Sequence, residues 1–300
     1  MSNAKPLDWL GMVALVIMFG SAFLFTKVAL QDFSPTTIAA SRIIIAAMVL
    51  IIIALIRKES FGFLRDSWLL IIALAIFGDC LPFYLISWGQ QAVDSSIAGI
   101  LMAVMPLTTI VLAHFSVPGE KLNIYRVIGF IFGFLGIIVL LGPAAFAQME
   151  GGTAVIISML AILAGALSYA INTVLAKRLP KGSLLAISTA VLGVASIIML
   201  PTFLITQEEW GIEYNSGGLL SLLLLGLFPT ALATIIYFAV IARVGPSFLS
   251  QINYLIPVWA VLMGIVFLNE SIGLNAYIAL VIILLGIAIA QHKNLTFVRF

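Results

Sequence analysis

One acidic residue interrupts an apolar stretch, IFGDCLPFYLISWGQ, that covers residues 76–90. Asp79 has no Lys, Arg or His within ten residues of it, and it lies about eleven residues into the apolar run 68–88. If that run crosses a bilayer, Asp79 lies near the midplane, where a charge costs roughly 2.5–3.5 kcal/mol. We interpret Asp79 as a ligand for a substrate amine or as a proton carrier. The alternative is a neutral acid that joins helices by hydrogen bonds.

Other polar and aromatic side chains recur at helical spacing in the apolar runs. Together with Asp79 they would suit a site that binds a small amphipathic molecule. The predicted binding set is Asp79, Lys27, Phe83, Met102, Tyr169, Asn172, Thr234, Tyr237, Gln251 and Tyr254. Taken singly, hydrogen bonding between helices explains each of the uncharged members equally well. As a set they favour a cavity.

Two basic residues also lie inside apolar runs, and both have side chains long enough to reach the membrane interface. We interpret Arg42 as structural. For Lys27 the sequence leaves two roles open, one at the membrane interface and one in the cavity. Glu120 and Glu270 lie at helix exits, where we expect each to cap or contact the end of the next span.

Prolines within the apolar runs remove backbone hydrogen bonds and favour bends. The predicted hinge residues are Pro82, Pro106 and Pro257. We interpret Pro106 and Pro257 as paired bends that allow gating, with kinks that serve only packing as the alternative.

The composition identifies the solvent of the chain. Hydrophobic residues make up 63% and charged residues 9%, with a mean hydropathy of +1.24. Soluble domains average roughly 45–50% apolar and about 25% charged residues. The chain is therefore predicted to be an integral membrane protein with the lipid bilayer as its main partner.

Several classes of function find no support in the sequence. The net charge is +2 and no basic cluster suits nucleic acid, so no nucleic-acid partner is expected. A single cysteine, Cys80, allows no internal disulfide and no Cys-based metal cluster, and we predict no cofactor or metal. The sequence has no second intramembrane acid, no deep Ser–His pair and no phosphate loop, so no motif in it indicates an enzyme.

The apolar runs predict an all-α integral membrane fold with ten transmembrane helices. The runs are 9–30, 35–56, 68–88, 95–115, 124–142, 154–176, 183–206, 217–241, 247–268 and 273–291. If the N-terminus is cytoplasmic, every Lys and Arg of the connections falls on the cytoplasmic side, as the positive-inside rule requires. Both termini are then cytoplasmic.

The two halves of the chain resemble each other. Pro106 is followed by Glu120, and Pro257 by Glu270, each pair leading into a Gly-containing apolar span. Because each half holds five spans, the second half must cross the membrane in the inverted orientation. We predict one five-helix repeat over 1–150 and an inverted repeat over 151–300. Such repeats place a binding site at their interface in secondary transporters.

Three stretches carry a family resemblance. FGSAFLFTKVAL lies in the first helix, AGILMAVMPLTTIVLAHFSVPGEKL follows in the fourth, and INYLIPVWAVLMGIVFLNESI is its counterpart in the second half. The chain resembles the drug/metabolite transporter superfamily, and within it the EamA-type ten-helix carriers. Lys27 matches the lysine of the family's first-helix motif, which favours a cavity role such as meeting a carboxylate. The second half departs from this pattern, because Ala176 stands at the matching place with Lys177 beside it.

The resemblance implies a carrier of the bacterial inner membrane that exports amino acids or related small metabolites. It would work by alternating access around a central cavity lined by helices 1, 3, 4, 6, 8 and 9. Export of cationic drugs or other metabolites is the alternative, and a channel or an intramembrane enzyme are the alternatives from other classes. Beside the small-molecule substrate, protons as a coupling ion and a monomeric state are both compatible with the sequence.

Overall fold

The computed structural model describes residues 5–116, 122–147, 152–179, 182–205, 215–244 and 252–291. Every regular element in these ranges is a helix. Two residues singled out from the sequence, Gln251 and Glu120, lie outside the described residues, so the expectations for them stay predictions.

The helices of the first half are α1 to α5. They are α1 Pro6–Ala29, α2 Pro35–Ile56, α3 Leu64–Ala75 continued by Ile76–Cys80 and Leu81–Gly89, α4 Ser95–Met102 continued by Met105–Ser116, and α5 Ile124–Ala147. The helices of the second half are α6 to α10. They are α6 Gly152–Ala176, α7 Leu184–Ile205, α8 Ser216–Gly226 continued by Leu227–Leu232 and Ala233–Val244, α9 Ile252–Leu268, and α10 Leu274–Gln291.

Local sequence signals start several of these helices. Pro6 and Pro35 occupy the first helical positions of α1 and α2, where the missing N–H costs nothing. Ser34 Oγ accepts a hydrogen bond from the Thr37 N–H at 3.2 Å, and Asn215 Oδ1 accepts one from the Gly217 N–H at 3.0 Å. These are N-cap contacts that satisfy amides without a partner inside the helix.

The chain is a multi-pass membrane protein. Among the described residues, seven helices are long and apolar enough to cross a membrane, and three shorter apolar helices accompany them. The shorter ones are Ile124–Leu140, Ile252–Leu268 and Leu274–Ala290. Large apolar side chains cover the outside of the bundle, as in Leu55, Phe115 and Ile205. A lipid environment satisfies such a surface, whereas water would not. The all-helical membrane class is therefore confirmed, and ten crossings stay a prediction.

Glycines set the closest helix contacts. An added Cβ at Gly129 would lie 2.4 Å from the carbonyl oxygen of Gly286, and one at Gly136 would lie 2.4 Å from Ile283. Helices α5 and α10 therefore pack backbone against backbone. An added Cβ at Gly133 would meet the Leu107 side chain of α4. The α5 glycines thus form a face for close helix packing.

The two paired prolines occupy different local structures. In α4 the helix is interrupted at residues 103–104, directly before the segment Met105–Ser116 that contains Pro106. In α9 the helix continues unbroken through Pro257. The structure thus has a backbone break at one of the two equivalent positions only. That the two prolines act as paired hinges stays a prediction.

Candidate binding site between the two halves

In the described part of each half, one wide, π-helical turn lies inside a long helix. Ile76–Cys80 forms the turn in α3 and Leu227–Leu232 forms the turn in α8. Asp79 and Thr230 are each the fourth residue of their turn, and the flanking sequences IFGD and LFPT match in register. Single π turns inside α-helices are frequent at functional sites.

A proline accounts for the turn in α3. Pro82 has no N–H, so it cannot donate to the carbonyl of Phe77, which a π turn would otherwise pair with it. The Ser168 hydroxyl of α6 donates to the Phe77 carbonyl oxygen at 3.0 Å instead. A side chain of the second half therefore supplies the hydrogen-bond donor that the α3 backbone lacks next to Asp79.

The turn in α8 follows the same principle with a local donor. Pro229 lacks the N–H that an α-helical turn would pair with the carbonyl of Leu225, four residues earlier. The Thr230 hydroxyl donates to the Leu225 carbonyl oxygen at 2.8 Å. The Thr230 oxygen keeps a lone pair for an incoming donor.

Arg42 of α2 connects the two turns. Its Nε donates to Thr230 Oγ1 at 3.2 Å, and its Cζ lies 3.7 Å from the centre of the Phe83 ring. Phe83 lies one helical turn after Asp79, so the guanidinium lies beside α3 and α8 at once. Only 8% of the surface of Arg42 is exposed. Its side chain stays inside the bundle and stacks on an aromatic ring, an arrangement that suits a guanidinium.

The charges of Arg42 and Asp79 face the same region without forming a direct ion pair. Nε is the only nitrogen of the Arg42 side chain that makes a hydrogen bond within the described part of the chain. In those same ranges, the Asp79 carboxylate has no hydrogen-bond donor and no basic partner within ion-pair distance. Asp79 as a whole residue is half-buried. The two charges lie close enough to interact electrostatically.

Helix α6 of the second half closes the site on the side of α3. The Phe83 and Tyr169 rings meet edge to face, with centres 6.3 Å apart. Asn172 packs against Gly78, where an added Cβ would lie 2.8 Å from the Asn172 Oδ1 atom. Only glycine fits at this position without moving the amide. The structure therefore brings together Asp79, Phe83, Tyr169 and Asn172 of the predicted set.

The remaining predicted residues lie further away. Thr234 donates to the Thr230 carbonyl oxygen at 2.6 Å. It also lines a cleft of about 280 Å³ with Ile53, Arg57, Leu185, Ile235 and Ala239. Met102 and Tyr254 pack on the apolar cluster of α4, α9 and α10, and Tyr237 packs between α1, α8 and α9.

Lys27 lies away from Asp79, at one end of the bundle. Its ammonium donates to the carbonyl oxygens of Gln90 and Val93 at 2.8 and 3.0 Å. These carbonyls belong to the end of α3 and to the loop that follows, where a positive charge is favourable. The Gln90 side chain donates back to the Phe23 carbonyl oxygen of α1 at 3.0 Å. Lys27 thus fastens α1 to the hairpin between α3 and α4.

Glu270 fastens the same hairpin from the second half. Its carboxylate accepts hydrogen bonds from the backbone N–H groups of Ser95 and Ser96 at 2.8 and 3.0 Å, and a short one from the Ser96 hydroxyl. Asp94, the local N-cap residue of α4, makes no capping bond with its own side chain. Glu270 therefore caps α4. The expectation that it serves the next span was wrong, because the helix end within its reach comes from the other half.

An ion pair joins helix ends at the opposite end of α1. Arg243 Nε lies 2.8 Å from Asp8 Oδ1, and the Asp8 side chain is buried while that of Arg243 is half exposed. The start of α1 and the end of α8 therefore lie together.

Sequence reasoning assigned three of the site residues a different role or none. Arg42 was interpreted as structural because a long side chain could reach the interface. Thr230 shares the helical spacing of Thr234 and Tyr237 but was left out of the predicted binding set, and Ser168, an uncharged hydroxyl among many, was assigned no role. The sequence held one signal for Arg42. It lies eight residues into α2, inside a long apolar run, where a position buried within the bundle is expected.

Comparison with known proteins finds a transporter family and relatives named as transporters. The sequence model of the EamA-like transporter family matches residues 8–142 and 156–290. The uncharacterized transporter YoaV of Bacillus subtilis is 24% identical over 279 residues, which cover 93% of this chain and 94% of YoaV. The uncharacterized inner membrane transporter YedA of Escherichia coli is 26% identical over 282 residues, which cover 92% of this chain and 88% of YedA.

The fold is also found in a solved structure. One crystal structure superposes with a TM-score of 0.68 over 97% of this chain and 99% of its own, with 19% identical residues. At this identity the likeness shows the fold alone.

Proposed function

Because this chain belongs to the EamA-like transporter family, we propose that it is a secondary transporter that exports small metabolites, above all amino acids, from the cytoplasm. Transport as the general function follows from the family and from relatives that are named as transporters. The observation that carries the proposal for this chain is Asp79 itself, half-buried in the π turn of α3, whose carboxylate has no ion-pair partner among the described residues.

The depth of Asp79 supports a water-filled transport site. Asp79 lies in the second half of α3, more than twenty ångströms from the helix start at a rise of about 1.5 Å per residue. A carboxylate exposed to lipid at such a depth would cost several kcal/mol, and its side chain is too short to reach the interface. Water, a substrate or a bound proton must therefore offset that cost. Binding sites of secondary transporters lie near the midplane between repeats.

The proposed mechanism is alternating access between two inverted repeats, 1–150 and 151–300. The matching π turns of α3 and α8 support this division, because each half contributes one to the site. Lys27 and Glu270 hold the α3–α4 hairpin at one end of the bundle. In the proposed topology, with ten crossings and cytoplasmic termini, this end faces away from the cytoplasm. These hydrogen bonds would close the outer side and would break when the site opens outward.

The proposed location is the bacterial inner membrane, which agrees with the name of the relative YedA, an inner membrane transporter of Escherichia coli. One chain supplies residues on all sides of the site, so a monomer suffices for the mechanism. A free intramembrane carboxylate can also take up a proton. Proton coupling is therefore one mode of the proposed transport, and dependence of uptake on an imposed pH gradient tests it.

Counterflow in liposomes tests the proposed function. The purified protein would be reconstituted into liposomes loaded with a saturating concentration of one unlabelled amino acid. Uptake of the same amino acid in labelled form would be measured over time, for each member of a panel. Saturable counterflow of an amino acid supports the proposal. Counterflow only of organic cations or of other metabolites would move the substrate class to the alternative. Flux that does not saturate would indicate a channel, and no flux of any tested solute would contradict transport.

A further inference from the structure

We propose that Arg42 is the anchor for an anionic group of the substrate. The site would then bind a zwitterion, with the carboxylate on Arg42 and the amine on Asp79. This inference rests on the proposed transport function and names the chemistry that the site selects. It assigns to Arg42 a role in specificity that its position in the sequence did not indicate.

The Arg42 side chain is oriented for bidentate binding. The hydrogen bond from Nε to Thr230 and the stacking of the guanidinium on Phe83 hold the plane of the group. The two terminal nitrogens make no hydrogen bond to the described part of the protein, and neither is sealed from open space. Terminal nitrogens held in this way form the fork that pairs with both oxygens of a carboxylate.

The arrangement leaves two opposite charges without a direct ionic partner among the described residues. Arg42 and Asp79 interact electrostatically but form no ion pair. A buried charge without a partner is costly, and a ligand that supplies one charge satisfies only one of the two. A zwitterion satisfies both. A site with fixed polar groups rejects analogues that lack the matching group, because its own groups are then left unpaired.

The walls of the site favour an amphipathic zwitterion. Phe83 and Tyr169 present aromatic surface next to the guanidinium, and Asn172 adds an amide on the side of α6. Aromatic and apolar lining with a few fixed polar groups is typical of sites for small molecules. We therefore infer amino acids with apolar or aromatic side chains as the substrate class.

The test combines changes in the ligand with changes in the protein. Binding to the purified protein in nanodiscs would be measured by calorimetry with two sets of probes. One set is L-phenylalanine, phenethylamine and 3-phenylpropanoate, and the other is L-leucine, 3-methylbutylamine and 4-methylpentanoate. We expect the wild type to bind at least one of the two amino acids about tenfold or more tightly than its amine and its acid analogues.

The variant Arg42→Gln separates an anchor from a structural residue. We expect it to weaken binding of the amino acid about tenfold or more and to leave binding of the matching amine unchanged, because the amine has no carboxylate to lose. Asp79→Asn should show the opposite selectivity, losing the amine-bearing ligands. Arg65→Gln, at an exposed position of α3, is the matched control and should change neither.

Other outcomes overturn the inference. Equal weakening of amino acid and amine by Arg42→Gln would make Arg42 structural, and a wild type that binds the amines as tightly as the amino acids would exclude a carboxylate anchor. If none of the six probes binds while counterflow shows saturable transport of another solute, the zwitterion site is wrong and transport stands. If Arg42→Gln does not fold, the comparison of ligands on the wild type decides alone.

Discussion

The carboxylate of Glu270 accepts a hydrogen bond from the backbone N–H of Ser95 at 2.8 Å, although 175 residues separate the two. This contact caps the first turn of α4 with a charge from the second half of the chain. The helix has a capping-type residue of its own, Asp94, whose side chain makes no capping bond. The cap is therefore a tertiary contact, and it ties the start of α4 to the end of α9.

Glu270→Gln should destabilise the protein. The amide keeps one acceptor oxygen, so it cannot serve the two backbone amides and the Ser96 hydroxyl that the carboxylate now accepts from. Leaving a buried donor without a partner costs about 1–3 kcal/mol. We expect a lower thermal unfolding temperature in detergent, with Glu59→Gln as the control. An unfolding temperature equal to that of Glu59→Gln would show that the cap does not contribute.

Lys27→Met should loosen the same hairpin from the other side. The carbonyl oxygens of Gln90 and Val93 lose their charged donor, which contributes about 1.5–3 kcal/mol for two well-formed contacts of this kind. We expect a lower unfolding temperature, recovered in part by Lys27→Arg because arginine can also donate. Lys58→Met, at an exposed position, is the control. If Lys27→Met loses substrate binding at unchanged stability, Lys27 belongs to the cavity, as the first-helix resemblance implied.

Asp79→Asn should abolish transport without loss of stability. The substitution removes a charge that has no direct partner in the described ranges, so unfolding should occur at the same temperature or a higher one. It also removes the group that we propose to meet the substrate amine. Saturable amino-acid counterflow should fall to the level of empty liposomes, whereas Asp66→Asn at an exposed position should transport normally. Unchanged counterflow in Asp79→Asn would make Asp79 a structural acid.

Gly78→Ala should impair transport by moving Asn172. The new Cβ would lie 2.8 Å from Asn172 Oδ1, so the amide must shift away from the Asp79 turn. Gly193→Ala is the matched control, because nothing lies within 4 Å of its added Cβ. In a helix this change alone stabilises by about 0.5–1 kcal/mol. We expect reduced counterflow only for Gly78→Ala; equal activity in both variants would place Asn172 outside the site.

Much of the architecture was predictable from the sequence. Long apolar runs and few charges indicate the bilayer, since backbone groups in lipid must be paired within helices. The paired motifs around Pro106 and Pro257 indicated two related halves. The sequence also placed Asp79, Phe83, Tyr169 and Asn172 in one candidate site, because polar and aromatic side chains recur at helical spacing around an acid in an apolar run.

The partners of the charged side chains were not predictable in this way. Helical spacing indicates which residues share a face of one helix, but it contains no information about which helix lies opposite. The sequence by itself therefore determined the solvent, the helices and the acid that marks the site. Only the tertiary structure decided that Arg42 joins Thr230 to Phe83, and that Glu270 caps α4. Those contacts depend on how helices distant in the chain pack together, and in a bilayer that packing is set by close shape fit and hydrogen bonds rather than by an apolar pattern.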